Sequence, residues 1–214
     1  MGLASRSQIP PPIDDPLAAR ENVHASLLYI RRTLDAAGRL SSISGSGMLW
    51  VGLLALAAVV INLRVTGAPW ETPAKAASAL AVWAALFAAS AAITVISMAA
   101  KARRAGQPFW SPVLRKALWA LAAPMALGAL MTAALLLRSM PALLPVAWLG
   151  GYGAALTSAG VVSVSPVRWM GISFLALALL ALLLPAAAGL ALLATGFGGL
   201  HIIFGGYIFW RHDG

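Results

Sequence analysis

The stretch from Ala194 to Trp210, ATGFGGLHIIFGGYIFW, decides how this chain is read: apart from its indole, only Thr195, His201 and Tyr207 break an apolar run. With the preceding Leu190-Ala-Leu-Leu it reaches 21 residues. A helix rising ~1.5 Å per residue needs about 20 residues to cross a ~30 Å hydrocarbon core. In that core every backbone N–H and C=O must find an internal partner, and a barrel strand would alternate apolar with polar residues. The run does not alternate, so it reads as a transmembrane helix.

Working outward, five more such segments precede it, over Gly47 to Leu63, Ala76 to Ala100, Ala117 to Leu137, Ala142 to Val164 and Trp169 to Leu184. The last two segments are separated only by Pro185, three alanines and Gly189, which predicts a tight hairpin. The composition agrees: 61% hydrophobic and 10% charged residues, with a mean hydropathy of +0.87, leave too little polar surface for a soluble fold. The expected fold is an all-α membrane protein with six transmembrane helices over residues 47–210.

Ahead of the first span, residues 1–14 are rich in proline and poor in apolar groups, and read as a disordered tail. No apolar h-region precedes the prolines, so the first span is expected to direct insertion and remain in the protein. Residues 15–40 read as a cytoplasmic amphipathic helix. Asp15 suits the cap, Pro16 the first turn and Gly38 the end, while Val23, Leu27, Ile30, Leu34 and Ala37 recur at steps of four and three. That stripe suits either a seam for a protein partner or second copy, or a face lying on the leaflet or the bundle.

The net charge of +9 does not point to nucleic acid, because the basic residues flank the apolar runs instead of forming a patch. Twelve lysines and arginines fall on the side of the termini and three, Arg64, Lys75 and Arg138, on the other. Both termini are therefore expected in the cytoplasm. Tryptophans near span ends, among them Trp50, Trp119 and Trp169 on one side and Trp83 and Trp148 on the other, read mostly as interfacial anchors.

Chemistry is easier to exclude than to assign. The absence of cysteine removes disulfides, thiol nucleophiles, iron–sulfur ligation and thiolate zinc sites. All six acidic residues lie outside the spans, against a carboxylate-coupled transporter and against paired acids for metal or acid–base work in the bilayer. No Walker loop, HExxH or GxSxG occurs. No catalytic residue, metal or cofactor is therefore expected.

Small and hydroxyl residues remain. Gly128 with Thr132 in the third span, and Gly151 with Tyr152, Thr157 and Ser158 in the fourth, read as a close-packing seam or as a groove lined by hydroxyls. Gly198 and Gly205 flank His201 on its own face, predicting a close neighbouring helix that hydrogen-bonds the imidazole. Thr94, Thr132, Thr157 and Ser158 lie at suitable depths for that bond. A haem ligand is the sharper reading of His201, but His24 and His212 lie outside the spans, so one chain offers no second axial histidine.

The ending GFGGLHIIFGGYIFWRHDG, the segment SLLYIRRTLDAAGRL and the charged KARRAG after the second span together resemble a group of uncharacterised bacterial integral membrane proteins. The resemblance implies six helices and an inner-membrane location, and no substrate or catalytic residue. The expected function is a non-enzymatic sensory, regulatory or scaffolding module, with membrane lipids around it and a second copy or cytoplasmic protein on residues 15–40. Binding or passage of a lipid or small molecule in a groove of spans three, four and six is the alternative, ahead of an intramembrane haem protein or enzyme.

Overall fold

The computed structural model describes residues 23–28, 43–67, 70 and 72–213. The chain forms two compact units, Met1–Gly38 and Arg39–Gly214. In the first, residues 23–28 are helical and Val23 and Leu27 are exposed. The rest of the expected helix over 15–40, and the tail over 1–14, lie outside the described residues.

The second unit holds six long helices. They are α1 (Gly45–Val65), α2 (Pro73–Arg104), α3 (Pro112–Leu137), α4 (Leu144–Ala159, with 3-10 turns Pro141–Leu143 and Gly160–Val162 at its ends), α5 (Ser165–Leu183) and α6 (Ala186–Asp213). Each is long and apolar enough to span a membrane, and no strand occurs among the described residues. The protein is an all-α, multi-pass membrane protein.

Most of the helices start earlier than the apolar segments, because capping side chains lie outside the hydrocarbon-like run. Ser44, Thr72 and Ser111 accept from the backbone N–H of Gly47, Lys75 and Leu114 at 3.3, 3.3 and 3.1 Å, satisfying donors that the first turn leaves free. Lys101, Arg103 and Arg104, expected in the connection, instead form the last turn of α2, where cations favour the carbonyl end of the helix dipole. Gly67 and Gly106, with φ +68° and +63°, let the chain turn after α1 and α2. Leu184 and Pro185 are extended (ψ 160° and 145°), so α5 and α6 form the expected hairpin and not one kinked helix.

The helices follow one another in an open ring. α2 packs on α1, α1 on α6, α6 against α4 and α5, α5 on α4, and α4 on α3, whereas α2 and α3 make no broad contact. Apolar burial does not drive helices together in lipid, so the contacts rely on small residues. A Cβ on Gly198 would run into the Leu56 side chain, and one on Gly205 would lie 2.9 Å from Met48 Cβ, so both glycines fit α6 to α1. Likewise a Cβ on Gly151 would sit 3.2 Å from Gly128 Cα, joining α3 to α4, and one on Gly153 2.9 Å from the Gly171 carbonyl, joining α4 to α5. The seams predicted at Gly128, Gly151, Gly198 and Gly205 all exist.

The open side of the ring leaves two helices poorly covered. None of the most apolar window of α3 and 17% of that of α2 are buried, against 33% for α1, α4 and α6. These two edges define the site.

Candidate functional site: a cavity between α2 and α3

At the end of the bundle where α1 begins and α6 ends, Met98 of α2 packs with Leu114 and Ala117 of α3. Farther along, a cavity of about 580 Å³ lies between the two helices. That volume falls in the range of small-molecule sites, ~300–1,000 Å³. α1, α2, α3, α4 and α6 all line it. At its mouth Phe87, Ala126 and Ala129 are exposed, and all three belong to the apolar spans. Among the described residues no Asp, Glu, Lys or Arg lines it.

Its walls are largely aromatic. Trp83 and Trp148 reach across from α2 and α4 to 5.6 Å between ring centroids, and Trp70 packs on Trp148 at 5.6 Å. Phe197 of α6 continues the cluster, 5.8 Å from Trp83 and 5.1 Å from Tyr152. Both wall indoles are tied down. Trp83 Nε1 donates to Asn62 Oδ1 at 3.1 Å, and Trp148 Nε1 donates to Thr132 Oγ1 at 2.9 Å. Asn62 is fully buried and also donates to Thr66 Oγ1 at 2.8 Å and the Gly67 carbonyl at 3.2 Å. The anchor reading therefore fails for Trp83 and Trp148: a partner for each N–H inside the bundle removes the reason to seek the interface. Trp50, Trp119 and Trp169 are exposed, as anchors must be.

Beyond the tryptophans lies a polar pair. His201 is 3% exposed, and its Nε2 is 2.9 Å from the Tyr152 hydroxyl, with the two rings stacked at 29°. Phe174 meets the histidine edge-on at 5.8 Å. The ring also lies near the carbonyls of Gly196 and Phe197, yet Nδ1 completes no hydrogen bond. Here α6 is π-helical over Ala194–Leu200, just before His201, a distortion frequent at functional sites.

Two expectations about this histidine are corrected. The glycines beside it face α1, whereas its partner is on α4, because the ring projects away from the glycine seam. Nor is that partner one of the four threonines and serines. Thr94 and Thr157 donate to the carbonyls four residues back in their own helices, which satisfies each hydroxyl locally. Thr132 does the same to Gly128 and holds Trp148 besides. Of the expected polar candidates, His201, Tyr152 and Thr132 line the cavity with Gly128 and Gly151, while Thr94 and Thr157 do not.

The expected groove of spans three, four and six is thus only part of the site, since α1 and α2 close it. Trp83, Phe87 and Ser90 were not expected there, nor was Asn62, which lies outside the lining and holds Trp83. Asn62 carried a signal, being an amide inside an apolar run, and such groups need a partner. Ser90 lines the cavity, and its Oγ is buried without a hydrogen-bond partner among the described residues. Among the described residues no three His, Cys, Asp or Glu side chains come together.

Fold and site together define a polytopic helical membrane protein with an aromatic cavity that opens between two of its apolar spans. No protein-family model, curated protein or solved structure matches the chain.

Proposed function

We propose that the protein is a membrane-embedded binding module that takes a neutral, hydrophobic molecule from the bilayer through the gap between α2 and α3. One observation carries this reading: a cavity of about 580 Å³, lined by no charged residue among those described, opens between two of the apolar spans. A solute arriving from water would have to cross hydrocarbon to reach it, and a charged headgroup inside would meet no counter-charge. Placement in a bacterial inner membrane belongs to the same proposal, and so do cytoplasmic termini, supported by the twelve-to-three distribution of lysine and arginine.

The test is occupancy. Protein extracted in mild detergent is expected to carry a neutral lipid in stoichiometric amount, read by mass spectrometry of an organic extract. Ala84→Phe together with Ala129→Phe, which fill the cavity from its two lips, should reduce that amount severalfold. Equal yields from the parent and the filled variant would reject the reading.

A second reading keeps residues 15–40 as a docking helix, so that the cavity reports to a partner or second copy. It is supported by the helical stretch 23–28, where Val23 and Leu27 are exposed four residues apart. Deleting residues 15–39 should then change oligomeric state or co-purifying proteins, and an unchanged elution profile and partner set would end it.

A further inference from the structure

The polar atoms of the cavity narrow the class of ligand, an inference that rests on the binding reading above. A saturated acyl chain would fill the space but draw nothing from the Tyr152–His201 pair that lines it, whereas a ligand with its own hydrogen-bonding atom could add a bond there.

The pair has a further property. When Tyr152 donates to Nε2, its oxygen keeps free acceptor capacity; when the imidazole proton sits on Nε2, that N–H donates and the Tyr152 hydroxyl is free to donate into the cavity. A change of tautomer therefore turns the site from acceptor to donor without moving a side chain. The pair suits a group that is a carbonyl in one form and a hydroxyl in another. The remaining surface is provided by Trp83, Trp148, Phe197 and Phe87, whose faces and edges suit a flat conjugated ring at offset or edge-to-face separations. The mouth between α2 and α3 leaves room for an apolar tail to remain among lipid tails.

We infer that the cavity binds a lipid-soluble ring compound of the quinone and quinol class, its ring among the tryptophans and an oxygen on the Tyr152–His201 pair. No electron transfer is included; the inference concerns binding alone. Charge agrees with it, because both forms of such a molecule are neutral and no charged residue among those described lines the site.

The test uses the full chain, delipidated and reconstituted in discs of saturated phosphatidylcholine. The probes are a benzoquinone with a decyl tail and, as the oxygen-free control, decylbenzene, with brominated phosphatidylcholine in parallel. Quinones quench indole fluorescence, and with the exposed Trp50, Trp110, Trp119, Trp169 and Trp210 replaced by phenylalanine, Trp83 and Trp148 report from the wall beside the buried Trp70. The expected result is saturable quenching by the quinone, displaced weakly or not at all by decylbenzene. Tyr152→Phe should weaken quinone binding about fivefold to tenfold, the worth of one neutral hydrogen bond, and leave decylbenzene binding unchanged. Ser90→Ala, at a lining residue whose hydroxyl oxygen is closed off from the cavity, should leave it unchanged, and circular dichroism confirms that both variants fold.

Equal affinity for quinone and decylbenzene, with no effect of Tyr152→Phe, would overturn the ligand class while leaving the cavity as a binding site. So would quenching of Trp83 and Trp148 by brominated lipid alone. No quenching by any probe would remove both the ligand class and the binding reading.

Discussion

At the scale of single residues, three side chains carry most of the polar structure inside the bundle. Asn62 holds the Trp83 indole and joins the end of α1 to α2. Asn62→Leu is expected to leave Trp83 Nε1 unpaired and to cost about 1–3 kcal/mol, the usual penalty for an orphaned buried donor. Thermal unfolding measures the loss, and a change in Trp emission of the folded variant would trace it to this contact. The Tyr152–His201 bond is a different case, because hydrogen bonds between membrane helices are modest. A double-mutant cycle with Tyr152→Phe and His201→Gln should give a coupling near ~0.6 kcal/mol, and strict additivity of the two melts would show that the bond contributes nothing to stability. A functional role for His201 would then rest on ligand binding alone.

At the scale of elements, the double glycines of α6 divide their work. Gly198 and Gly205 lie against α1, while Gly199 and Gly206 meet nothing within 4 Å. Gly205→Leu is therefore expected to force α6 from α1 and to destabilise strongly, beyond the ~1–3 kcal/mol of ordinary overpacking, since the backbone of Leu49 and Gly45 must move, and Gly198→Leu less so, since there the Leu56 side chain can shift. Gly199→Leu and Gly206→Leu should be tolerated, and similar melting temperatures for all four variants would refute the seam. The turn between α3 and α4 holds a smaller strain. Ser139 has φ +55°, the left-handed region that favours glycine, so Ser139→Gly should stabilise by roughly 0.5–1 kcal/mol in the same melting assay.

For the whole molecule, the open ring is the arrangement that matters. A bundle closed between α2 and α3 would have buried both helices as fully as α1, and no lateral entrance would exist. The chain contains no cysteine, so single introduced thiols report topology cleanly. Gln107→Cys, between α2 and α3, should react with impermeant maleimide only after the cytoplasmic side is exposed. Gly67→Cys, after α1, should react from the other side in intact cells. The reverse pattern would invert the orientation read from lysine and arginine, and equal labelling of both would contradict an even number of crossings between the termini.

The residues alone determined the number and type of spans. A hydrocarbon core demands internally hydrogen-bonded apolar runs of fixed length, and that demand is written locally in segments such as Leu190 to Trp210. Glycine seams were also legible, because a missing side chain at Gly198 or Gly151 has few uses other than close approach. Which helix approaches was not legible. His201 lies between glycines that face α1 yet bonds Tyr152 on α4, and nothing in either segment encodes that rotation. Trp83 and Trp148 looked like interfacial anchors until the fold supplied Asn62 and Thr132 as partners. The cavity was decided by tertiary structure alone, since it is the space left between α2 and α3, and such a space between two distant segments leaves no local mark in either.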